Sequence, residues 1–451
     1  MAAVTSVKKG VLFLRLVYIA VAALLEHHKR TWAAGRLQNP SASAKDVEND
    51  AEPENIVIVG ASFAGYHAAR LIATSLPLNG RYRIVIIEPK HHYQFTWTLP
   101  RFCVIEGHEE KTFIPLGPYI PAPAKEFVRW VHGTAASINR QTVTIEETGE
   151  TIPYSYLVIA TGAGVGLTLP SRVGAVGKKE GARLLRDMQQ RIKASKNLVV
   201  VGGGAAGVEL ATDAKQLYPE KKVTLVHSRS AVMHRFGPEL QIASLKAMQE
   251  MGIDVLLEER TESEDVSAGF VTLRSGKKVE CDFCVSAVGQ KPSSGLLKDL
   301  APNAITPSGH IRVKPTMQID DDALPNIYAC GDVIEFGVKN ANARAAMKQA
   351  MYAADNVTLA LRGQPPKHKY KVNFMDGVIK LTLGLDKSIT HFGDGKTELL
   401  FHKQETDETL MVADVWRFMG ATPYEDDDDK SKPAGAESTA DKTREITNDL
   451  P

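Results

Sequence analysis

The sequence predicts an α/β protein of two Rossmann-like dinucleotide-binding domains plus a small C-terminal domain. Three observations carry this. Two β-branched runs, residues 56–59 and 198–201, each break at a glycine-rich turn and lead into a helical stretch. Apolar strands alternate with helical stretches from residue 56 to about residue 362, the pattern of a parallel sheet flanked by helices. From residue 367 to about residue 420 the texture changes to shorter, glycine-punctuated apolar runs. The expected division is an N-terminal segment and linker (1–52), a first nucleotide unit (53–165 and 290–365), a second (166–289), a C-terminal domain (366–422) and a disordered acidic tail (423–451).

The N-terminal segment has its own character. Lys8 and Lys9 precede an apolar run, residues 11–25, broken only by Arg15. The run is apolar on all sides, unlike a surface helix of a globular domain, and shorter than the roughly 20 residues of a full membrane span. A membrane anchor, a cleaved signal segment, a mitochondrial targeting segment and a helix packed on the body compete. Residues 1–45 hold seven basic side chains and one acid, Glu26, which suits the mitochondrial reading. Residues 31–52 are polar, rich in Ala and Ser, and read as a linker.

The first nucleotide turn is Gly60-Ala61-Ser62-Phe63-Ala64-Gly65, followed by a helical stretch and a second strand that ends at Glu88. Gly60 allows the tight turn, Gly65 lets helix and strand approach, and the helix N-terminus offers free N–H groups to a pyrophosphate. Glu88 lies 23 residues beyond Gly65, close to the spacing of a carboxylate that binds ribose hydroxyls. Ser62 departs from the pattern, since it holds the second glycine position, which weakens the match, although its hydroxyl can itself donate a hydrogen bond to a phosphate.

The second turn is complete: Gly202, Gly204 and Gly207 in G-x-G-x-x-G spacing, with Glu209 just inside the helix. Its next strand ends in His227-Ser228-Arg229, with no acid to select a 2′-hydroxyl. Arg229 is either a partner for a 2′-phosphate or a solvated loop cation. Further apolar strands end at Gly162, at Gly289 and at Gly331-Asp332, where a glycine admits close backbone approach and an acid can bind polyol hydroxyls.

The remaining composition excludes several chemistries. Lys plus Arg (54) balance Asp plus Glu (53), so no global field favours nucleic acid. Four cysteines make no disulfide framework. Cys103 stands alone, and Cys281 and Cys284, three apart in an expected strand, should face opposite sides. No second C-x-x-C completes a zinc site, so no metal is expected. His91 and His92 read as loop polarity after Glu88, with contact at a bound ring as the alternative. Residues 425–429 are acidic, and residues 426–430 match a protease recognition sequence used in engineered fusions.

Taken together, these motifs resemble the two-dinucleotide-binding-domain flavoproteins, and more narrowly the apoptosis-inducing-factor-like NAD(P)H:quinone oxidoreductases of the ferroptosis-suppressor type. Type II NADH dehydrogenases are similar at greater distance. The narrower likeness rests on Leu99 to Arg101 with the following Lys111-Thr112-Phe113-Ile114, on the second glycine turn, and on Tyr218-Pro219-Glu220-Lys221 running into residues 223–228. It covers roughly residues 56–385.

The resemblance implies FAD at Gly60, Ala61, Ser62, Phe63, Ala64 and Gly65, at Glu88, Arg101 and Val131, and at Gly331-Asp332. It implies NADH or NADPH at the second turn, with Glu209 near the nicotinamide and Lys348 and Gln349 near the flavin ring. Hydride would pass from nicotinamide to flavin and electrons onward to a quinone-type acceptor, with no side chain acting as nucleophile. A membrane surface, mitochondrial or another intracellular one, is the expected setting, and a homodimer is an open assembly. Two rivals stay open: a flavin dehydrogenase or oxidase of a soluble metabolite in a biosynthetic pathway, and an NAD(P)H-sensing, apoptosis-related flavoprotein.

Overall fold

The structure, a computed structural model, describes residues 2–38, 52–77, 79–164, 170–263, 266–337 and 340–426. The elements that position the site are, in chain order, α1 (Ala2–Gln38), β1 (Glu54–Val59), α2 (Phe63–Ala73), β2 (Tyr82–Ile87), β3 (Val128–Val131) and β4 (Tyr156–Ile159). The second unit brings β5 (Asn197–Val201), α3 (Ala205–Leu217), β6 (Lys222–Val226), β7 (Asp254–Leu256) and β8 (Phe283–Ser286). The chain then returns through β9 (Ile327–Ala329) and α4 (Ala343–Leu361), and closes with β10 (Ile379–Thr382), β11 (Lys387–Gly393), β12 (Glu398–Gln404) and α5 (Val412–Phe418).

Two parallel sheets result, in the orders β9-β4-β1-β2-β3 and β7-β6-β5-β8. Their strands are continuous apolar runs because helices or other chain cover both faces; Ile56, Val57 and Ile58 are fully buried. Small residues along α2 (Ala64, Gly65, Ala68, Ala69) and α4 (Ala346, Ala350, Ala353) are buried where the two helices pack along each other. In the first sheet β1 is flanked by β2 on one side and β4 on the other; in the second β5 is flanked by β6 and β8. The strand order reverses at these two strands, and open α/β sheets bind ligands beyond the carboxyl end of such a strand. Both glycine turns sit there.

The third sheet, β10-β11-β12, is antiparallel and carries α5 beyond it. Trp416 on α5 is buried and donates its indole N–H to the Lys111 carbonyl at 2.8 Å, which ties this domain to the first unit. Asp426, in the acidic run, is buried and accepts from Lys178 Nζ at 3.2 Å, with His92 Nε2 2.8 Å away. The rest of the expected disordered tail, residues 427–451, lies outside the described residues.

α1 differs from the expected short apolar run followed by a linker. It is helical from Ala2 to Gln38, so the first residues of that linker are helix; residues 39–51 lie outside the described residues. It is the one helix among the described residues long and apolar enough to cross a membrane, over Val7–Arg30. It nevertheless lies along the body. Leu12 and Leu16 are buried, and ion pairs join Lys9 to Glu239, Arg15 to Asp394 and Arg30 to Asp355. Val11, Leu14, Tyr18, Val21 and Leu25 stay exposed.

Candidate nucleotide-binding and redox site

The two glycine turns are near copies of one another. Gly60 and Gly202 end their strands at φ +98° and +117°, values that favour glycine. A Cβ at Gly60 would meet the Ala160 carbonyl oxygen at 2.5 Å, and one at Gly202 would meet Val288 at 2.7 Å and the Ala287 carbonyl oxygen at 3.0 Å. A Cβ at Gly65 would stand 1.8 Å from the Gly60 carbonyl oxygen, and one at Gly207 1.9 Å from that of Gly202. These four positions therefore bring strand, turn and helix together at a separation no side chain permits.

The middle position is different. Ser62 and Gly204 both precede their helices with extended backbone, at φ −91° and −83°. Neither value requires glycine, so Ser62 departs from the motif without strain. Its side chain is exposed and makes no capping hydrogen bond, which leaves the hydroxyl free at the mouth of the turn. At Gly204 an added Cβ would meet nothing within 4 Å.

Around the first turn the expected residues converge. Glu88 accepts from the Ala61 N–H at 2.7 Å and from the Lys90 N–H at 3.0 Å, so its carboxylate lies beside the turn. Val131, at the end of β3, accepts from the Glu88 N–H at 3.0 Å. Phe63 packs edge-on against Tyr93, with ring centroids 5.2 Å apart. Gly331, at φ +83°, brings its backbone to Ala64: a Cβ there would be 3.0 Å from the Ala64 methyl. Its N–H donates to Gln349 Oε1 at 2.9 Å. Burial raises the Asp332 carboxyl above its ordinary value, opposed by Arg172, whose guanidinium lies 3.3 Å away.

Gly331, Asp332 and Gln349 line a cavity of about 470 Å³ together with Ser308, His310 and Arg235. Arg235 follows β6 in the second unit, whereas the others belong to the segment returning to the first. The cavity thus lies where the two units meet, and no cysteine lines it.

Three expected residues have other engagements. Arg101 is fully buried, its Nε donating to Asp213 at 2.7 Å and its amino groups to the carbonyls of Gly384 and Leu385 at 2.9 and 3.2 Å. It ties the first unit to α3 and to the third domain, an engagement that an FAD contact would have to share. Glu209 is buried one turn into α3, and its Oε1 accepts from the Thr382 N–H at 3.2 Å. Burial pushes its carboxyl up to about 8, and burial raises Asp213 to about 6 against the pull of Arg101. Lys348 pairs with buried Asp376 at 2.9 Å, which also accepts from the Tyr370 hydroxyl at 3.0 Å. Lys348 is absent from the cavity wall that Gln349 lines. Sequence reasoning missed Asp213 and Arg172, whose partners lie 112 and 160 positions away, and Asp376, which bonds nearby Tyr370 as well as Lys348.

The thiols require one correction. The strand expected to hold Cys281 and Cys284 on opposite faces begins only at Phe283, so Cys281 precedes it. A hydrogen bond from the Cys284 thiol holds the Cys281 thiol below its ordinary value. All four cysteines are free, and burial raises Cys103 and Cys330. His92 is the partner of Asp426, while exposed His91 packs edge-on against His132 at 5.0 Å. Among the described residues no group of acids, histidines and cysteines could hold a metal.

Residues 54–353 match the sequence pattern of the pyridine nucleotide-disulphide oxidoreductase family. The chain is 30% identical over 402 residues to the Fe-regulated protein 8 of Mycosarcoma maydis, covering 81% of this chain and 98% of that protein. It is 28% identical over 383 residues to ferroptosis suppressor protein 1 of Xenopus tropicalis, covering 82% and 97%. Among solved structures it resembles the sulfide:quinone oxidoreductase of Aquifex aeolicus, with a TM-score of 0.66, 18% identity, and 84% and 94% of the two chains covered.

Proposed function

The chain belongs to the pyridine nucleotide-disulphide oxidoreductase family and is an FAD-dependent NAD(P)H oxidoreductase; from that premise we propose that its electron acceptor is a quinone met at a membrane surface. The net reaction is NAD(P)H plus a proton plus quinone giving NAD(P)⁺ plus quinol, so two electrons and two protons reach the acceptor. The observation that carries the reading is the cavity that both nucleotide units line without a cysteine. Gly331 and Asp332 give that cavity to FAD, and with no cysteine in its wall and no disulfide among the four cysteines, electrons pass from the flavin to a small acceptor rather than to a protein dithiol.

The residues present fit the two nucleotides. FAD, when bound, supplies the two-electron relay between a hydride donor and the acceptor. Gly60 and Gly65 draw β1 and α2 together so that the N-terminus of α2 faces a pyrophosphate, to which Ser62 offers its hydroxyl. Glu88 holds ribose hydroxyls beside that turn, and Asp332 holds polyol hydroxyls at the cavity wall. Val131 lines the same site through its backbone. Gln349 fixes the Gly331 backbone by accepting its N–H. Gly202, Gly204 and Gly207 hold the nicotinamide nucleotide. Glu209, pushed up to about 8, holds a proton at neutral pH beside the turn that takes the nicotinamide nucleotide.

The membrane part of the proposal is supported by α1. Its ion pairs run from Lys9 to Arg30 and reach α4 and the loop between β11 and β12, so it lies flat with an apolar face outward. Such a helix suits the interfacial plane of a bilayer rather than a span, and it would bring a lipid-borne acceptor to the α4 side of the molecule. A mitochondrial membrane is favoured by the basic, acid-poor segment that surrounds α1.

Rapid mixing tests the acceptor. Protein reduced anaerobically by one equivalent of NADPH is mixed with a short-chain ubiquinone or with oxygenated buffer. Recovery of flavin absorbance at least tenfold faster with quinone is expected. Recovery no faster than with oxygen would point to a soluble acceptor and end the quinone reading.

A further inference from the structure

We propose that Asp426, in the acidic run beyond α5, is a positioning residue for FAD: it joins the far ends of the two segments that present Glu88 and Arg172 to the flavin site. The inference rests on the reading that the first glycine turn holds FAD.

The two segments are residues 88–94, which follow β2, and residues 172–178, which lead into the helix Lys178–Ala194. Each begins at the candidate site. Glu88 accepts from the Ala61 N–H of the first turn, and the Arg172 guanidinium lies 3.3 Å from the Asp332 carboxylate. From there the segments are bonded to one another. Lys90 Nζ donates to the Val173 carbonyl at 2.6 Å, and Gln94 Nε2 donates to the same oxygen at 3.2 Å. The His91 N–H donates to the Val176 carbonyl at 3.2 Å.

A further link comes from 334 positions away. Asp426 Oδ2 accepts from His92 Nε2 at 2.8 Å and from Lys178 Nζ at 3.2 Å, so one oxygen gathers a donor from each segment. All three side chains are less than a tenth exposed. Burial alone would raise the Asp426 carboxyl, but the bonds from His92 and Lys178 outweigh it and hold it below its ordinary value. Stability is a weak reason for such a seat, since an apolar side chain of similar volume often serves as well as a buried ion pair. What the carboxylate adds is position, because it fixes two donors at one point.

The approach of the acidic run to this seat is itself held. Tyr424 has φ +67°, a value uncommon for a residue other than glycine, where the chain turns inward. Its ring packs edge-on against buried Trp416, with centroids 5.9 Å apart, and Lys111 Nζ lies 5.1 Å from its centre. Asp426 touches neither the first turn nor Asp332 and acts through the segments it joins. Holding binding groups in their bound arrangement removes part of the ordering cost of binding, so the loss of Asp426 loosens FAD from a distance.

Release of FAD from the diluted holoprotein, followed by the rise in flavin fluorescence, tests this. Asp426→Asn keeps the side chain's shape and removes its charge. Release about tenfold faster or more is expected, the scale of one charge-assisted bond. His92→Phe cuts the same link from the other side and should act alike, so the result does not hang on one variant's folding. Lys90→Met already parts the two segments, and adding Asp426→Asn to it should quicken release by less than about twofold. Native release from both Asp426→Asn and His92→Phe would overturn the inference, as would single effects that multiply in the double variant. Glu88→Gln separates the two readings. Faster release from Glu88→Gln alone confines the failure to Asp426, whereas native release there as well removes FAD from the first turn, and the inference falls with it.

Discussion

A side chain added at Gly202 would collide with Val288 and the Ala287 carbonyl and one at Gly207 with the Gly202 carbonyl, whereas one added at Gly204 would enter open space. Gly204→Val therefore probes the nucleotide rather than the fold. It should leave FAD content intact and slow flavin reduction by NAD(P)H about a hundredfold or more, the loss of roughly 3 kcal/mol of binding; reduction at the normal rate would remove the nucleotide from this turn. Asp332→Ala should weaken FAD retention about tenfold, read as flavin per protein after gel filtration; a variant purified with full flavin would deny Asp332 that role. Glu209 gives a pH signature. Its carboxyl titrates near 8 in the fold against an ordinary 4.5, so the folded chain keeps a proton that the unfolded chain has released. Stability from this group thus falls as pH rises through that window and is level above it, by about 1.4 kcal/mol per pH unit at most. Glu209→Gln should flatten the fall in Tm; an unchanged profile would mean that Glu209 carries no such proton. Which of these residues could be read from sequence follows from distance along the chain. The glycines, Glu88 and Asp332 sit in short patterns that announce themselves. Arg101 does not: its carboxylate partner is 112 positions away and its Gly384 carbonyl 283 away, so no local pattern distinguishes a buried tie from an FAD contact.

At the scale of elements, two features depend on contacts rather than patterns. The Arg101–Asp213 pair joins the first unit to α3, and the same guanidinium caps the turn after β10. Removing one partner strands a buried charge, so Arg101→Ala should cost roughly 3–5 kcal/mol in chemical denaturation; a loss below about 1 kcal/mol would mean the tie is dispensable. α1 was legible as apolar but not in its length or its lie. Composition marks residues 11–25, while the helix continues to Gln38 and its direction is set by Glu239, Asp394 and Asp355, three acids distant in sequence. A chain lacking residues 1–38 should keep its FAD and its reduction by NAD(P)H and lose flotation with phosphatidylcholine–phosphatidylserine vesicles. Flotation retained by the truncated chain would place membrane contact elsewhere. The C-x-x-C pair shows the same limit at short range: its spacing was plain, but the thiols' contact depended on where β8 begins.

For the whole molecule, the arrangement follows from repeating one device twice. Each unit sets a glycine turn at the point where its strand order reverses, and the chain returns through β9 and α4 to complete the first unit after building the second. That return brings Gly331, Asp332 and Gln349 to a cavity shared with Arg235 of the other unit. The order of motifs along the chain made the two units readable, because each motif is local. The cavity, the third domain's docking through Trp416 and the seat of Asp426 were not readable, since each needs residues from distant segments to meet. The central claim is that one turn holds FAD and the other a nicotinamide nucleotide whose hydride reaches the flavin. An absorbance spectrum of the purified protein, taken before and after anaerobic addition of NADPH or NADH, tests it most directly. The expected result is an oxidised flavin spectrum that bleaches with one equivalent of nucleotide in the native chain and bleaches far more slowly in Gly204→Val. A chain that stays colourless when purified with added FAD, or a flavin indifferent to both nucleotides, would contradict it.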